Sequence, residues 1–99
     1  MENYSVKQIY NVSLRMDNST DVNRVYDIEA RVNFQQSGNS FDGGIVKKDG
    51  VHVASFSNNV RSQNVNWIGE YTLEEKHEAQ AAIDGFIKGL DGVVPNVTI

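Results

Sequence analysis

Two histidines are the first side chains to consider for acid–base or metal chemistry, because imidazole titrates near neutral pH and is a common metal ligand. The segment His77-Glu78-Ala79-Gln80-Ala81 begins like a His-Glu-x-x-His zinc helix, but Ala81 stands where the second ligand belongs. Glu74 and His77 have the spacing of half a di-iron carboxylate motif, which needs a second such helix. His52 falls near a predicted hairpin tip, where exposure is expected. We therefore expect no metal site and no cofactor.

A pair of carboxylates, Asp27 and Glu29, is the second candidate for catalysis. They share one face of a predicted strand about 7 Å apart, and glycosidase-like chemistry would need them in a cleft. Their neighbours on that face, Val25, Arg31 and Asn33, indicate a solvated surface instead. The chain also has no cysteine and no Gly-x-Ser-x-Gly sequence, so it lacks a thiol nucleophile and a nucleophile elbow. These observations predict a non-enzymatic protein.

Composition argues against nucleic-acid and membrane partners. Nine basic residues are outnumbered by thirteen acidic ones, for a net charge of −4, and no basic cluster is larger than Lys47-Lys48. Nucleic-acid binding depends on many cationic contacts with phosphates. The sequence contains no apolar run of the length that spans a bilayer, and no basic-then-apolar leader at its start. We therefore expect a soluble, cytoplasmic protein.

Apolar residues follow a period of two over the first two-thirds of the chain and a helical period after residue 72. This change predicts one α+β domain, 1–99, in which a single antiparallel sheet is covered on one face by one C-terminal helix. Thr72 and Glu75 form a capping-box sequence at the start of that helix. The predicted strands are 4–16, 22–34, 40–48, 51–57 and 65–71, followed by a helix at 73–91 and an extended tail at 93–99.

Two glycine-containing pairs predict the local shape of the sheet. Asp49-Gly50 suits a two-residue type I′ turn, because both central residues of that turn need positive φ. The register from this turn pairs Lys47 with His52 and Val46 with Val53. Gly43-Gly44 lies inside a predicted strand and is typical of a bulge or sharp bend. We expect the sheet to curl strongly there.

The predicted helix is too narrow for the sheet that it covers. A helix is about 10 Å wide and strands are about 4.8 Å apart, so one helix covers two or three of five strands. Ala81, Gly85 and Gly89 recur every four residues as a small-residue ridge, and an interior helical glycine costs about 1 kcal/mol relative to alanine. The ridge either packs on the chain's own sheet, is simply exposed, or contacts another molecule. We expect a homodimer that uses this ridge or a sheet edge.

These features predict an interaction or assembly module that self-associates, and an accessory or phage-encoded inhibitor of a host protein would fit the same size and charge. Glu74, Glu75 and Glu78 form a candidate acidic surface for a basic protein partner. The alternative is a protein that binds a small apolar ligand or lipid between sheet and helix. The side chains expected to line such a pocket are aromatic: Tyr26, Phe34, Phe56, Trp67 and Phe86.

Overall fold

A computed structural model describes residues 11–35, 38–59 and 61–90 of the chain. It confirms the predicted α+β class, with one antiparallel sheet of five strands and one helix after them in sequence. Residues 4–10 of the predicted first strand (4–16) and the predicted tail at 93–99 lie outside the described residues. The elements are β1 (Asn11–Asp17), β2 (Asp27–Gln35), β3 (Ser40–Lys48), β4 (Val51–Asn58), β5 (Gln63–Trp67) and α1 (Leu73–Gly89).

The five strands lie side by side in chain order, with β1 and β5 at the two edges of an open sheet. The second strand was expected from residue 22 but begins at Asp27, because the preceding segment is held as a loop by Asn18. The Asn18 side chain donates to the Tyr26 carbonyl at 2.8 Å and accepts from the Ile28 backbone N–H at 3.0 Å. The fifth strand ends at Trp67 rather than Tyr71, shortly before Gly69, whose φ of 104° breaks the extended conformation.

The β3–β4 hairpin confirms the type I′ prediction, since Asp49 has φ 52° and Gly50 has φ 80°. Lys47 pairs with His52 as expected, but Val46 pairs with Ala54 rather than Val53. Val53 is the extra residue of a bulge, which explains why the neighbours Val53 and Ala54 are both buried. The alternation of apolar residues does not predict this register shift.

Gly43-Gly44 forms a bulge on β3 rather than the centre of a strong curl. The register shifts at this point on both sides of β3, and Gly43 adopts φ 59°. The sheet nevertheless stays open, so the expected strong curling is not confirmed. Gly44 is required for packing, because a Cβ built there would lie 2.5 Å from the Phe56 ring.

Helix α1 begins with the predicted capping box. The Glu75 N–H donates to the Thr72 hydroxyl at 3.1 Å, and the Thr72 N–H donates to the Glu75 carboxylate at 3.0 Å. The helix packs on the sheet through Ala79 and Ile83, which are buried. Phe86 adds edge-on ring contacts to Phe41 and Phe56, with centroids 6.2 Å and 6.4 Å apart.

The core lies between α1 and the inner face of the sheet, and β2 supplies more of its buried residues than any other element. The alternate residues of β2 are buried down the length of the strand while their neighbours are not. The buried hydrophobic residues are Tyr26, Ile28, Ala30, Val32, Phe34, Phe41, Val46, Val53, Ala54, Phe56, Ala79 and Ile83. Among the described residues no buried side-chain nitrogen or oxygen lacks a hydrogen-bond partner, so this core holds no unexplained polar group.

Candidate interaction surface

Polar contacts connect α1 to the β5 side of the sheet. The Gln80 side-chain amide donates to the Gln63 side-chain oxygen at 2.7 Å, and the Gln63 amide donates to Asp84 at 3.3 Å. The Lys76 ammonium lies 5.9 Å from the centre of the Trp67 ring. With Phe86 packed over β3 and β4, these contacts place the helix off centre, away from β1.

Among the described residues, α1 leaves the inner face of β1 partly uncovered, although Met16 packs against the edge of the core. Val12, Leu14 and Met16 face the same side of the sheet as the core residues of β2, since each pairs with one of them in register. Leu14 is 41% exposed although it lies directly opposite the fully buried Val32. Val12 and Met16 are half-buried. We call these three residues the open face of β1.

The small-residue ridge of α1 points away from the sheet and toward this side. Ala81, Gly85 and Gly89 are all exposed. Beyond the backbone of the helix itself, a Cβ built at Gly85 or Gly89 would meet no heavy atom within 4 Å in the described part of the chain. Packing against the described strands therefore does not account for either glycine.

The ridge forms one wall of a groove with a volume of about 890 Å³. Its other wall is the β1–β2 connection, where Val25 is 62% exposed. Apolar side chains at the base include Tyr26, Phe86 and Leu90. The groove thus combines an exposed helix backbone with an apolar base, which is typical of a surface that receives another polypeptide.

Carboxylates line the rim of the groove. Asp17 and Asp21 stand on the loop side and Glu78 on the helix side. A hydrogen bond from the Ser19 hydroxyl at 2.6 Å, with a further one from the Ser19 backbone N–H, lowers the pKa of Asp17. Arg24 also lines the groove, and its guanidinium is bound to Asp27 at 2.6 Å. The rim therefore carries a net negative charge.

The three glutamates of the predicted acidic surface have different surroundings. Glu74, Glu75 and Glu78 are all exposed. Glu75 belongs to the helix cap, where hydrogen bonds from the Thr72 backbone and hydroxyl lower its pKa. Glu78 alone of the three lines the groove. Glu78 thus lies with Asp17 and Asp21 along the groove, and the predicted role of all three glutamates in partner binding stays a prediction.

Of the five aromatic residues expected to line a ligand pocket, Phe34 and Phe56 lie in the packed core, whereas Tyr26 and Phe86 also line the groove. Tyr26, Phe34 and Phe56 are buried at 8%, 1% and 3% exposure, and Phe86 packs on Phe56. Trp67 is half-buried against Tyr71, with ring centroids 6.4 Å apart. The space that Tyr26 and Trp67 share measures about 30 Å³, which is enough for about one water molecule.

The side chains singled out for chemistry do not converge on one site. His52 and His77 are exposed, and the His52 Nε2 atom lies 2.9 Å from the Ala54 carbonyl oxygen. Asp27 pairs with Arg24 at 2.6 Å and Glu29 with Arg15 at 3.3 Å, so both carboxylates are engaged in exposed ion pairs. Across residues 11–35, 38–59 and 61–90, no group of three or more His, Asp or Glu residues could hold a metal ion.

Sequence reasoning left Leu14 and Val25 out of the candidate surface. The alternating pattern assigned Leu14 to a core-facing position, and it cannot tell which strand of a sheet lies beyond the reach of the helix. The small-residue ridge was the sequence feature that indicated this surface, since Gly85 and Gly89 lie on the side of α1 that lines the groove.

No protein family, no curated protein and no solved structure matches this chain. In the described ranges, no helix has the length and apolar character needed to cross a membrane. The groove therefore has to be interpreted from its own geometry and chemistry.

Proposed function

We propose that this chain is a small non-enzymatic module for protein–protein interaction and that it self-associates through the groove and the open face of β1. The observation that carries this proposal is the exposed ridge of Ala81, Gly85 and Gly89 beside an apolar groove. We place the protein in the cytoplasm, because small secreted domains usually depend on disulfides and this chain has no cysteine.

The glycine at position 85 supports a contact with another molecule. A glycine inside a helix destabilises it by about 1 kcal/mol relative to alanine. Space for an alanine methyl exists at Gly85, since no described atom outside the helix's own backbone lies within 4 Å of a Cβ built there. A partner backbone that approaches the helix closely gives this glycine a role, because only glycine leaves the helix backbone uncovered.

The open face of β1 supports the same conclusion. Leu14 and Val25 are 41% and 62% exposed and lie on the side of the molecule that the helix leaves open. Burial of apolar surface stabilises association by roughly 25 cal/mol for each Å². A second copy that covers this region would bury both side chains together with the base of the groove.

A second protein with a basic surface is the other partner that the structure favours. Asp17, Asp21 and Glu78 line the groove, so a partner of this kind would complement the rim. Binding to it would weaken with added salt, whereas apolar self-association would not. An inhibitor that blocks a basic site on a host protein would work in this way.

An apolar ligand in the groove is the remaining alternative, and native mass spectrometry would detect it as added mass.

Sedimentation equilibrium over a wide concentration range tests the self-association. We expect a monomer–dimer equilibrium for the unmodified chain and a monomer for Leu14→Glu. Val22→Glu is the matched control, because Val22 is 87% exposed and does not line the groove. A single monomeric mass at every concentration would refute the proposal. Equal weakening by both substitutions would show that general charge, rather than this surface, controls association.

A further inference from the structure

The exposed face of α1 has the residue spacing of a coiled coil. Positions 74, 78, 81, 85 and 88 are separated by alternating steps of four and three, as the a and d positions of a heptad are. At about 100° per residue they fall on the side of the helix opposite the buried Ala79 and Ile83. All five side chains or backbones are exposed. We call these residues the seam of α1, and they are Glu74, Glu78, Ala81, Gly85 and Lys88.

The order of charges along the seam is complementary to itself. The midpoint between Glu78 and Lys88 is position 83, and the midpoint between Ala81 and Gly85 is the same position. Two copies of α1 that run antiparallel about a two-fold axis at this midpoint place Glu78 of one copy opposite Lys88 of the other. Ala81 of one copy then lies opposite Gly85 of the other. Because the axis repeats each contact, both pairs occur twice in the dimer.

We propose that two copies of this chain pack through their α1 helices, antiparallel and seam against seam. This inference rests on the proposed self-association and identifies the element of the second copy that meets the ridge. Glu78, Ala81 and Gly85 of the seam also line the groove. A second helix on the seam therefore lies along the open side of the groove.

The centre of the seam allows the two helices to approach closely. The distance between packed helices is about 8 to 10 Å and depends on the side chains at the contact. Ala81 and Gly85 carry at most one methyl group, so the helix axes can lie at the short end of this range. Glu78 and Lys88 are about 15 Å apart along the helix. Their long side chains therefore meet at the two ends of the contact, beyond its narrow centre.

A second copy fits the seam better than a basic partner or an apolar ligand does. The seam contains no large apolar side chain that an apolar ligand could cover. A uniformly basic partner would complement Glu78 but would be repelled by Lys88. An antiparallel copy satisfies both charges. Since exposed ion pairs add little to affinity, these pairs act mainly on the orientation and register of the two helices.

Charge exchange between two variants of the full chain tests this register. Glu78→Lys places like charges against Lys88 of the other copy, and Lys88→Glu places like charges against Glu78. By sedimentation equilibrium we expect each variant alone to dimerise about tenfold more weakly than the unmodified chain, since two favourable pairs become two repulsive ones. An equal mixture of the two variants, at the same total concentration, should regain the dimer because every cation then faces an anion.

The single variants also report the direction of the helices. In a parallel pair each residue would face its own counterpart, so Glu78→Lys would exchange one pair of like charges for another. Neither variant alone would then weaken association, and the antiparallel arrangement would be refuted.

Glu70→Lys and Arg61→Glu are the matched controls, because they make the same changes of charge at exposed positions outside α1. Alone or mixed, they should dimerise like the unmodified chain. Seam variants that weaken a dimer no more than these controls would overturn the helix pair and leave self-association standing. Weakened variants that do not associate with each other would overturn it as well, because their charges would not face each other. A monomer at every concentration of the unmodified chain would overturn both proposals.

Discussion

Gly85→Ala should change folding and association in opposite directions. Within the monomer the added methyl meets no described atom within 4 Å outside the helix's own backbone, so it introduces no steric penalty. The replacement removes the backbone entropy of an interior helical glycine, which is worth about 1 kcal/mol. We therefore expect the free energy of unfolding of the monomer to rise by about 1 kcal/mol. For a domain of this length the corresponding increase in Tm is about 4 to 8 °C.

The same methyl should weaken the dimer. If a partner backbone packs against the uncovered helix at Gly85, a methyl in that contact acts as overpacking and costs about 1 to 3 kcal/mol. The dissociation constant should then rise by about tenfold or more, since 1.4 kcal/mol corresponds to a factor of ten. Urea denaturation at protein concentrations below the dissociation constant measures the stability of the monomer. Sedimentation equilibrium measures the dissociation constant of the dimer.

His77→Ala is the matched control, because His77 is an exposed helical residue that does not line the groove. It should stabilise the monomer slightly and leave the dissociation constant unchanged. A Gly85→Ala protein that is more stable and associates as tightly as the unmodified chain would refute the role of the ridge in docking. A Gly85→Ala protein that is less stable would show instead that the chain itself packs against this position.

Two further predictions concern folding. Gly44→Ala should destabilise the domain by about 1 to 3 kcal/mol, because its Cβ would lie 2.5 Å from the Phe56 ring. Measured by urea denaturation, the loss in the free energy of unfolding should disappear when Gly44→Ala is combined with Phe56→Ala. Equal losses with and without Phe56→Ala would contradict a contact between the two positions. Hydrogen bonds from Thr72 lower the pKa of Glu75 below its ordinary 4.5, so the folded state favours the ionised carboxylate. That stabilisation is present above pH 4.5 and is lost as the pH falls through the lowered pKa. The free energy of unfolding should therefore fall less steeply with decreasing pH for Glu75→Gln than for the unmodified chain. Identical slopes would contradict a stabilising role for the ionised Glu75 in the cap.

Local sequence signals predicted the elements whose geometry is decided locally. Asp49-Gly50 specifies its turn because both residues tolerate positive φ, and Thr72 with Glu75 specifies the start of α1 through hydrogen bonds three residues apart. The bulge at Val53 was not predictable in this way. It depends on how β4 packs beneath the helix, and an alternating pattern predicts a regular register until a tertiary contact disrupts it.

The position of α1 over the sheet was likewise beyond sequence patterning. Helix and strand widths showed that some strands would stay uncovered, but the strands left open depend on contacts distant in sequence. Phe86 packs over Phe41 and Phe56, and Gln80 bonds to Gln63 on β5. These contacts draw the helix toward one edge. The alternating pattern of β1 therefore predicted a core-facing strand, but the apolar residue Leu14 is exposed in the structure.

Within the described ranges, β1 has an exposed apolar residue on its inner face and pairs with β2 alone, and this combination limits what can bind. A partner that only covered Leu14 would leave the edge groups of β1 to water, while one that only paired with the edge would leave Leu14 exposed. An extended segment with alternating apolar residues satisfies both at once, because its backbone bonds to the edge as its side chains extend the inner face. A helix or a compact loop cannot supply that combination. A segment that both covers Leu14 and pairs with β1 should therefore be a strand.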